Sequence, residues 1–313
     1  MPQVFTRLGL GVAASTALYG FALWFPPVAT PLAVLVPLPG LVVATRGPST
    51  ECSLWFFLSV IAITVGLGAD AIPGFALLFG VPTLIVAVGI RRFWSFERTA
   101  LAGVATWAAG IGGLLFLAYG DVGSLVAALH EQLARSVDLA LSTYGSIGAP
   151  ESTLALMQAE RDQVITGLLE MSPALAVLTG AVVVLTNLLV LRRWTDVGRH
   201  VNLRVWRTPD ALIWALIVAG FGMFAPAPAV VVVAQNVFVI ILAGYFCQGL
   251  AIVSYYLDRF RLPRGLRVAG YVLIGVQHIV TIMVLALGVF DLWGNFRRLR
   301  TGPADVQFHA DGD

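Results

Sequence analysis

Long apolar stretches alternate with short polar connections over most of the chain. A helix that crosses a membrane needs about 20 mostly apolar residues. Stretches of that length, or close to it, occupy residues 8–25, 28–45, 53–69, 71–90, 100–119, 172–191, 211–225, 229–257 and 268–292. The pattern therefore predicts an all-α protein, a polytopic helical membrane bundle of eight or nine spans.

A more polar stretch, residues 121–171, interrupts this series. Apolar side chains recur at helical spacing on both sides of a Gly- and Pro-containing break at 145–150, which predicts an amphipathic helical hairpin. The apolar positions are Leu125, Leu129, Leu133, Val137, Leu141 and Tyr144 before the break, and Leu154, Met157, Val164 and Leu168 after it. We expect an N-terminal bundle of about five spans at 1–120, this hairpin, a C-terminal bundle of three or four spans at 172–300, and a polar tail at 301–313. The hairpin carries seven acidic residues and two arginines. The polar face of the hairpin is therefore acidic. An acidic face suits a lid over the bundle or a docking surface for a partner better than adhesion to anionic lipid.

The arginines set the expected orientation, because Lys and Arg accumulate in cytoplasmic loops. The arginines that alternating spans place on one side are those at positions 7, 46, 91–98 and 192–207. We expect that side to be cytoplasmic, together with the N-terminus, and 121–171 to be extracytoplasmic. The alternation fails once, because arginines flank both ends of 268–292. Either the C-terminus lies outside against the charge rule, or this last segment is partly re-entrant.

Composition agrees with a membrane protein and excludes other classes. Only 12% of the residues are charged, against about 25% in soluble globular proteins. The 19 basic residues, all of them arginine, nearly balance 17 acidic ones, so there is no electrostatic footprint for nucleic acid. Cys52 and Cys247 lie far apart in apolar runs and are expected to be small buried side chains rather than a disulfide.

No sequence motif for catalysis or metal binding is present. The chain lacks a phosphate-binding G-x-x-x-x-G-K loop, a His-Glu-x-x-His pair, a Cys-x-x-Cys pair and a G-x-S-x-G elbow. Its histidines, at 130, 200, 278 and 309, are scattered. We therefore predict no catalytic residues, no cofactor and no metal site. If the protein takes part in active transport, the ATPase must be another chain.

Polar side chains inside the last apolar segment are the main candidates for a site, since such groups are costly in lipid and mark pathways or pairing sites. On a continuous helix Gln277, Thr281 and Gly288 share one small or polar stripe with Asp291, and His278 is adjacent. The stripe either packs against neighbouring helices, with Gln277 as a hydrogen-bonding contact, or lines a cavity where Gln277, His278 and Thr281 bind a ligand.

The preceding apolar segment adds two uncharged candidates for ligand binding, Asn236 and Gln248. Amides of this kind suit a neutral or zwitterionic solute, and they equally suit packing between helices.

Near the end of the last segment, Asp291, Arg297 and Arg298 are assigned to structural pairing. Arg298 is about 10 Å from Asp291 along a helix axis, too far for a direct bridge, so we expect Asp291 to pair across helices. The candidate partners are the arginines of 192–207 and 259–267 if the C-terminus is cytoplasmic, and Arg135 and Arg161 if it is outside.

Several motifs of the C-terminal third are shared with a known family. They are PDALIW at 209–214, Asn236, YFCQGLA at 245–251, LP at 262–263, LGVFDLW at 287–293 and FRR at 296–298. On these residues the chain resembles the YybS-like family of predicted bacterial membrane proteins, which implies a location in the bacterial cytoplasmic (inner) membrane. Gly294 and Asn295 depart from the family, where an aromatic and an acidic residue are common.

A distant likeness to the substrate-binding S components of energy-coupling-factor transporters is implied as well. Those components use an Ala-x-x-x-Ala pattern in their first helix to meet a transmembrane partner. Ala13 and Ala17 have that spacing, and are expected to serve helix packing of this kind.

Two functions remain open on the sequence. The first is a solute-binding or transport subunit, embedded among membrane lipids, that lacks its own ATPase and works with a transmembrane partner subunit and an ATPase in trans. The alternative is a non-transporting membrane scaffold or assembly factor that docks partners through its acidic hairpin and Arg-rich cytoplasmic loops. A polar cavity between spans favours the first function, and a solidly packed bundle favours the second.

Overall fold

A computed structural model describes residues 2–25, 31–195, 206–294 and 296. The regular structure of these residues is entirely helical, as the sequence predicted. The chain groups into two compact units, unit 1 (Met1–Val201) and unit 2 (Asn202–Asp313).

The helices are numbered in chain order. Unit 1 contains α1 (Pro2–Trp24), α2 (Leu38–Arg46), α3 (Ser49–Leu67), α4 (Ala69–Arg91), α5 (Phe96–Tyr119), α6 (Val122–Ser146), α7 (Glu151–Ala159) and α8 (Arg161–Trp194). Unit 2 contains α9 (Leu212–Gly222), α10 (Pro228–Arg259), α11 (Arg264–Val276) and α12 (His278–Gly294). A π-helical turn, Ala76–Gly80, lies inside α4.

Six helices of the described residues, α1, α3, α4, α5, α8 and α10, are long and apolar enough to cross a membrane. The bent pair α11–α12 makes a seventh if it counts as one span. The predicted eight or nine spans are therefore not confirmed. Segment 28–45 is interrupted by prolines, and its described part forms a short apolar helix, Pro31–Arg46, with a turn before α2. The helix α9 has 11 residues. A helix of 11 residues is about 16 Å long, roughly half the thickness of the hydrocarbon core.

The core of unit 1 is built around Trp55 of α3, whose side chain is fully buried. Its indole Nε1 donates a hydrogen bond to the carbonyl of Gly11 on α1 at 3.3 Å. A Cβ on Gly40 of α2 would lie 2.6 Å from the Trp55 ring, so glycine at this position lets α2 close on the indole. Small residues on α1 and α2 thus make room for one large aromatic side chain.

One end of unit 1 gathers arginines from separate helices. Arg7 of α1 pairs with Glu51 of α3, which is buried. The Nη1 of Arg7 also donates to the carbonyl of Arg46 at 2.6 Å. Arg91 of α4 donates to the carbonyl of Ala44 at 2.6 Å. The two guanidinium groups therefore satisfy carbonyls at the C-terminal end of α2, which have no partner within the helix. Arg7, Arg46 and Arg91, which the sequence placed on one side, share this end.

Glycines also bring α4, α5 and α8 together. A Cβ on Gly110 of α5 would lie 2.2 Å from a backbone carbonyl in the π-helical turn of α4, and one on Gly180 of α8 would lie 2.8 Å from the ring of Trp107. The buried Asn187 of α8 donates from Nδ2 to the carbonyl of Val34 at 2.7 Å. This amide ties α8 to the irregular stretch that precedes α2.

The segment predicted as a hairpin forms an arm, made of α6, α7 and residues 161–171 of α8. Its second half differs from the prediction. The helix breaks at Glu160, and α8 then continues through Pro173 into the apolar run that was expected to be a separate span at 172–191. With 34 residues, α8 is about 51 Å long, so it exceeds the roughly 30 Å hydrocarbon core.

Ion pairs and caps organise the arm. Arg161 donates from Nε and Nη2 to the two carboxylate oxygens of Asp138, at 2.7 and 2.9 Å, and this bidentate pair joins α8 to α6. Asp121 caps α6 by accepting from the backbone N–H of Ser124 at 2.9 Å. Hydrogen bonds from Arg161 lower the pKa of Asp138, and those from Ser124 lower the pKa of Asp121.

Neither α6 nor α7 buries a residue. Five of the six residues predicted for the apolar face of α6 are half-buried, namely Leu125, Leu129, Leu133, Val137 and Leu141. The sixth, Tyr144, is exposed. In the part of α8 that belongs to the arm, residues 161–171, the fully buried side chain is Ile165, whereas the predicted Val164 is exposed. The arm thus leaves most of its surface uncovered.

Candidate functional site

The candidate site lies in unit 2, where α10 and α12 cross with their backbones in contact. A Cβ on Gly249 of α10 would lie 2.0 Å from the carbonyl oxygen of Val284, and a Cβ on Gly288 of α12 would lie 1.9 Å from that of Tyr245. Only glycine fits at this separation, in the way that small residues permit close helix approach in membranes. Gly288 belongs to the small and polar stripe that the sequence predicted.

A buried hydrogen-bond network adjoins the crossing. Gln248 of α10 is fully buried, and its Nε2 donates to Asp291 Oδ2 at 3.0 Å. Its Oε1 accepts from the backbone N–H of Thr208 at 2.9 Å and from the Thr208 hydroxyl. Asp291, also buried, accepts from the backbone N–H of Phe296 at 3.0 Å through Oδ1. One amide therefore links the segment before α9 to α10 and to the end of α12.

The donors and acceptors of this network fix the orientation of the Gln248 amide. A carboxylate only accepts and a backbone N–H only donates, so Nε2 must face Asp291 and Oε1 must face Thr208. The Gln248 side chain is thus engaged inside the protein. Asp291 thus contacts α10 through an amide, and its expected pairing with an arginine of another helix stays a prediction.

Arginine also reaches this end of α12. Arg207 donates from Nη2 to the carbonyl of Leu292 at 3.0 Å and pairs with Asp210 at 3.4 Å. The assigned pairing residues Arg297 and Arg298 lie outside the described residues.

The helices α11 and α12 form a V, with a bend of 99° between them. Near the start of the V, Arg267 pairs with Asp258 of α10 at 3.2 Å. Beyond its end, the carbonyl of Phe296 accepts from the hydroxyl of Tyr256 on α10 at 2.7 Å. Both ends of the V therefore contact the last turns of α10. After the V, the chain is back at the C-terminal end of α10, where the V began. The apolar segment 268–292 is therefore not one continuous helix.

The V breaks at Gln277, whose backbone is extended (φ −96°, ψ 106°). Thr281 holds the break together, because its backbone N–H donates to the Gln277 carbonyl at 3.1 Å and its hydroxyl donates to the carbonyls of Ile274 and Gln277. The side chains of Gln277 and His278 are exposed. Since the break interrupts the helix, the predicted stripe is not one continuous face.

The five predicted ligand residues thus fall into separate places. Gln277, His278 and Thr281 gather at the break, about 15 to 21 Å along the α12 axis from Asp291. Gln248 lies in the buried network. Asn236 is buried near the start of α10, where its Nδ2 donates to the carbonyl of Val232, one turn earlier, at 2.8 Å.

In unit 1, the predicted packing residues Ala13 and Ala17 are exposed on α1. The opposite face of α1 is the buried one, with Leu8, Ser15 and Tyr19 against the core. The two alanines are therefore not used for packing within unit 1.

The two best-formed cavities lie in different units. In unit 1 a cavity of about 10 Å³ adjoins Asn187 and Thr83 and has room for a single water. In unit 2 an open groove of about 460 Å³ runs between α10 and the V. The residues that line this groove are Ile252, Val253, Tyr256, Leu257, Phe260, Leu287 and Phe296. Neither is a polar cavity.

Sequence reasoning missed two members of this site. Thr208 lies in an Arg-rich connection before α9. Only the structure shows that the Gln248 amide is buried and that its Oε1 needs a donor, which Thr208 provides. Gly249 lies four residues after Tyr245. On a helix this spacing puts the two residues on one face, and it was the available signal that Gly249 belongs to the face of α10 that contacts α12.

The described ranges contain no group of three or more His, Cys, Asp or Glu side chains that could hold a metal ion. A family model with the description "Predicted membrane protein (DUF2232)" matches residues 13–292. No curated protein and no solved structure matches the chain.

Proposed function

The chain belongs to the DUF2232 family of predicted membrane proteins, and from that premise we propose that it is the solute-binding or transport subunit of a larger membrane assembly. The observation that carries the proposal is the break of the V. It puts Gln277 and His278, both exposed, in the middle of an otherwise apolar segment.

The physical argument concerns the backbone at that break. Irregular backbone at membrane depth is tolerated only where it is buried in protein or lines a water-filled cavity. Within unit 2 the polar side chains of the break are uncovered, so they face water or another protein surface. Broken helices are also where transporters build their sites. Water at the break supports a pathway for a polar solute, with Gln277 and His278 as the contacting groups.

The proposed orientation follows from arginines. The end of unit 1 that holds Arg7, Arg46 and Arg91 is cytoplasmic by the charge rule, and the arm is extracytoplasmic. In unit 2 the same rule places the end of α10 with Arg259 on the cytoplasmic side. A V that enters and leaves at that end keeps the arginines on both sides of 268–292 cytoplasmic, which favours the re-entrant alternative. The membrane is the bacterial inner membrane.

Energy for transport is supplied in trans in this proposal. The exposed Ala13 and Ala17 offer a close-packing face on α1 for a transmembrane partner subunit, by the spacing that the resemblance to S components implies. An ATPase bound to that partner provides the driving force.

The alternative function is a scaffold or assembly factor. It is favoured by the arm, in which α6 and α7 bury no residue and acidic side chains such as Glu131 and Glu151 are exposed. It is also favoured by the two cavities described above, since neither of them is polar. In this case a partner protein covers the break of the V, and no water-filled pathway exists.

Cysteine accessibility tests the proposal. In a background without Cys52 and Cys247, Gln277→Cys and His278→Cys are compared with Val272→Cys and Ile282→Cys, which replace exposed apolar side chains of the same V. Inverted membrane vesicles are treated with a maleimide that does not cross membranes. We expect rapid labelling at 277 and 278 and slow labelling at 272 and 282, because the latter side chains face lipid.

Two results contradict the transport proposal. Equal protection of all four positions excludes water at the break. Protection of 277 and 278 in native membranes, with labelling after purification, shows that a partner covers the break and supports the scaffold instead. Mass spectrometry of small molecules that co-purify with the wild-type protein, but not with Gln277→Leu, would identify the solute class.

A further inference from the structure

The groove of unit 2 has a shape and lining suited to a hydrocarbon chain. Its lining residues extend from Ile252 of α10 to Phe260, the residue that follows α10, about 12 Å along the helix axis, and face Leu287 of α12. Apart from the Tyr256 hydroxyl, which donates to the Phe296 carbonyl, the lining side chains are apolar. Its volume of about 460 Å³ falls in the range of ligand pockets.

Three arginines stand at the end of the groove. Arg259 ends α10 and Arg264 begins α11, and Arg261 lies in the turn between them with a left-handed φ of 51°. All three are exposed, and none of their guanidinium groups has a hydrogen-bond or ion-pair partner within the described part of the chain. The nearby Arg267 differs, because it is engaged by Asp258.

An apolar groove that ends in free cations matches a molecule with an apolar chain and an anionic head. We propose that this groove is a binding site for an anionic diacyl phospholipid, with one acyl chain along the groove and the phosphate between Arg259, Arg261 and Arg264. Basic pockets beside transmembrane helices bind anionic head groups for the same reason.

The bound lipid would brace the V against α10. Its acyl chain fills the space between Ile252 on α10 and Leu287 on α12, and its head group joins the end of α10 to the start of α11. The site is independent of the proposed solute pathway at Gln277, since it lies at the opposite end of α12.

Native mass spectrometry of the purified full-length protein tests this site. The protein is titrated with phosphatidylglycerol and, separately, with phosphatidylcholine of the same acyl chains. The groove variant R259Q/R261Q/R264Q is compared with R46Q/R92Q/R193Q, which removes three exposed arginines of other helix ends and changes net charge equally. Val253→Phe fills the groove, and Ile282→Phe on the exposed part of α12 is its control.

We expect wild type to prefer phosphatidylglycerol. The groove arginine variant should bind it on the order of 100-fold more weakly, which corresponds to roughly 1 kcal/mol for each of the three arginines. The control R46Q/R92Q/R193Q should stay within about twofold of wild type. Val253→Phe should lose binding and Ile282→Phe should retain it. If Val253→Phe fails to fold, the arginine variants, all at exposed positions, decide the test.

Each of the following results overturns the proposal. The first is that wild type shows no preference for the anionic lipid. The second is that the two arginine triples weaken binding equally, and the third is that folded Val253→Phe binds as wild type does. The fourth is that inorganic phosphate alone binds as tightly as phosphatidylglycerol, which would mean that the arginines hold a phosphate and the groove holds no acyl chain.

Discussion

The crossing of α10 and α12 allows a sharp test, because one methyl group should separate the two helices. In Gly288→Ala the new Cβ would lie 1.9 Å from the carbonyl oxygen of Tyr245, whereas ordinary contacts begin at 3.4 Å. The backbones must therefore move apart by about 1.5 Å, the difference between these distances. Overpacking of this kind typically costs about 1–3 kcal/mol.

A matched control removes the effect of helix propensity. Gly275 lies on α11 with open space where its Cβ would be. Gly→Ala inside a helix is favourable by up to about 1 kcal/mol, and both variants gain that contribution. The difference between Gly288→Ala and Gly275→Ala isolates the crossing, and we expect it to be about 1–3 kcal/mol.

The assay is unfolding by denaturant in mixed micelles, followed by circular dichroism. Gly249→Ala should be destabilised as Gly288→Ala is, because its Cβ would lie 2.0 Å from the Val284 carbonyl. The double variant should lose less than the sum of the single losses, since one separation of the helices relieves both contacts. If Gly288→Ala is as stable as Gly275→Ala, the backbones are not in contact and the proposed packing of the V is refuted.

Three further predictions concern the network, the arm and the topology. Gln248→Leu leaves buried polar partners unsatisfied and should lower the unfolding free energy by about 1–3 kcal/mol, while Gln277→Leu at its exposed position should leave it unchanged; micelle unfolding measures both. The pKa of Asp138 is lowered, so its contribution to arm packing is complete above the unfolded-state pKa and is lost as pH falls through the folded-state pKa. The distribution of spin-label distances between α6 and α8 should therefore broaden only in that acidic range. Broadening at neutral pH would contradict the role of Asp138. Cysteines at Ser146 and at the exposed Phe93 should react with an impermeant maleimide from opposite sides of the membrane, and labelling of both from outside would overturn the topology.

Much of the helical organisation could be predicted from the sequence, because long apolar runs in a chain with so few charges have few structural alternatives. Runs at 100–119 and 229–257 lie inside α5 and α10, and the spacing of Leu125, Leu129 and Leu133 identified the half-buried face of α6. The number of spans could not be predicted, because hydropathy does not show whether prolines or a bend shorten an apolar run. Segment 268–292 has continuous apolar composition, yet it breaks at Gln277.

The candidate site depended still more on the fold. A stripe of polar and small residues is visible in one sequence, but its partners come from other helices. Gly288 is recognisable as small, whereas its contact with the Tyr245 carbonyl depends on how α10 and α12 cross. Asp291 is recognisable as costly in an apolar segment, but its link to Thr208 through Gln248 joins positions some 80 residues apart.

What the sequence determined by itself is the local chemistry: helices, an apolar exterior, a side rich in arginine, and no catalytic motif. These features follow from residue type and short-range spacing, and their effect does not depend on where a segment lies in the fold. The tertiary structure alone decided that the V returns to the end of α10 it left, and that Gln248 and Asp291 meet while Gln277 and His278 remain uncovered. Those outcomes depend on contacts between segments distant in sequence, because close packing at glycines and the need to satisfy every buried polar group select one arrangement among many that the same pattern permits.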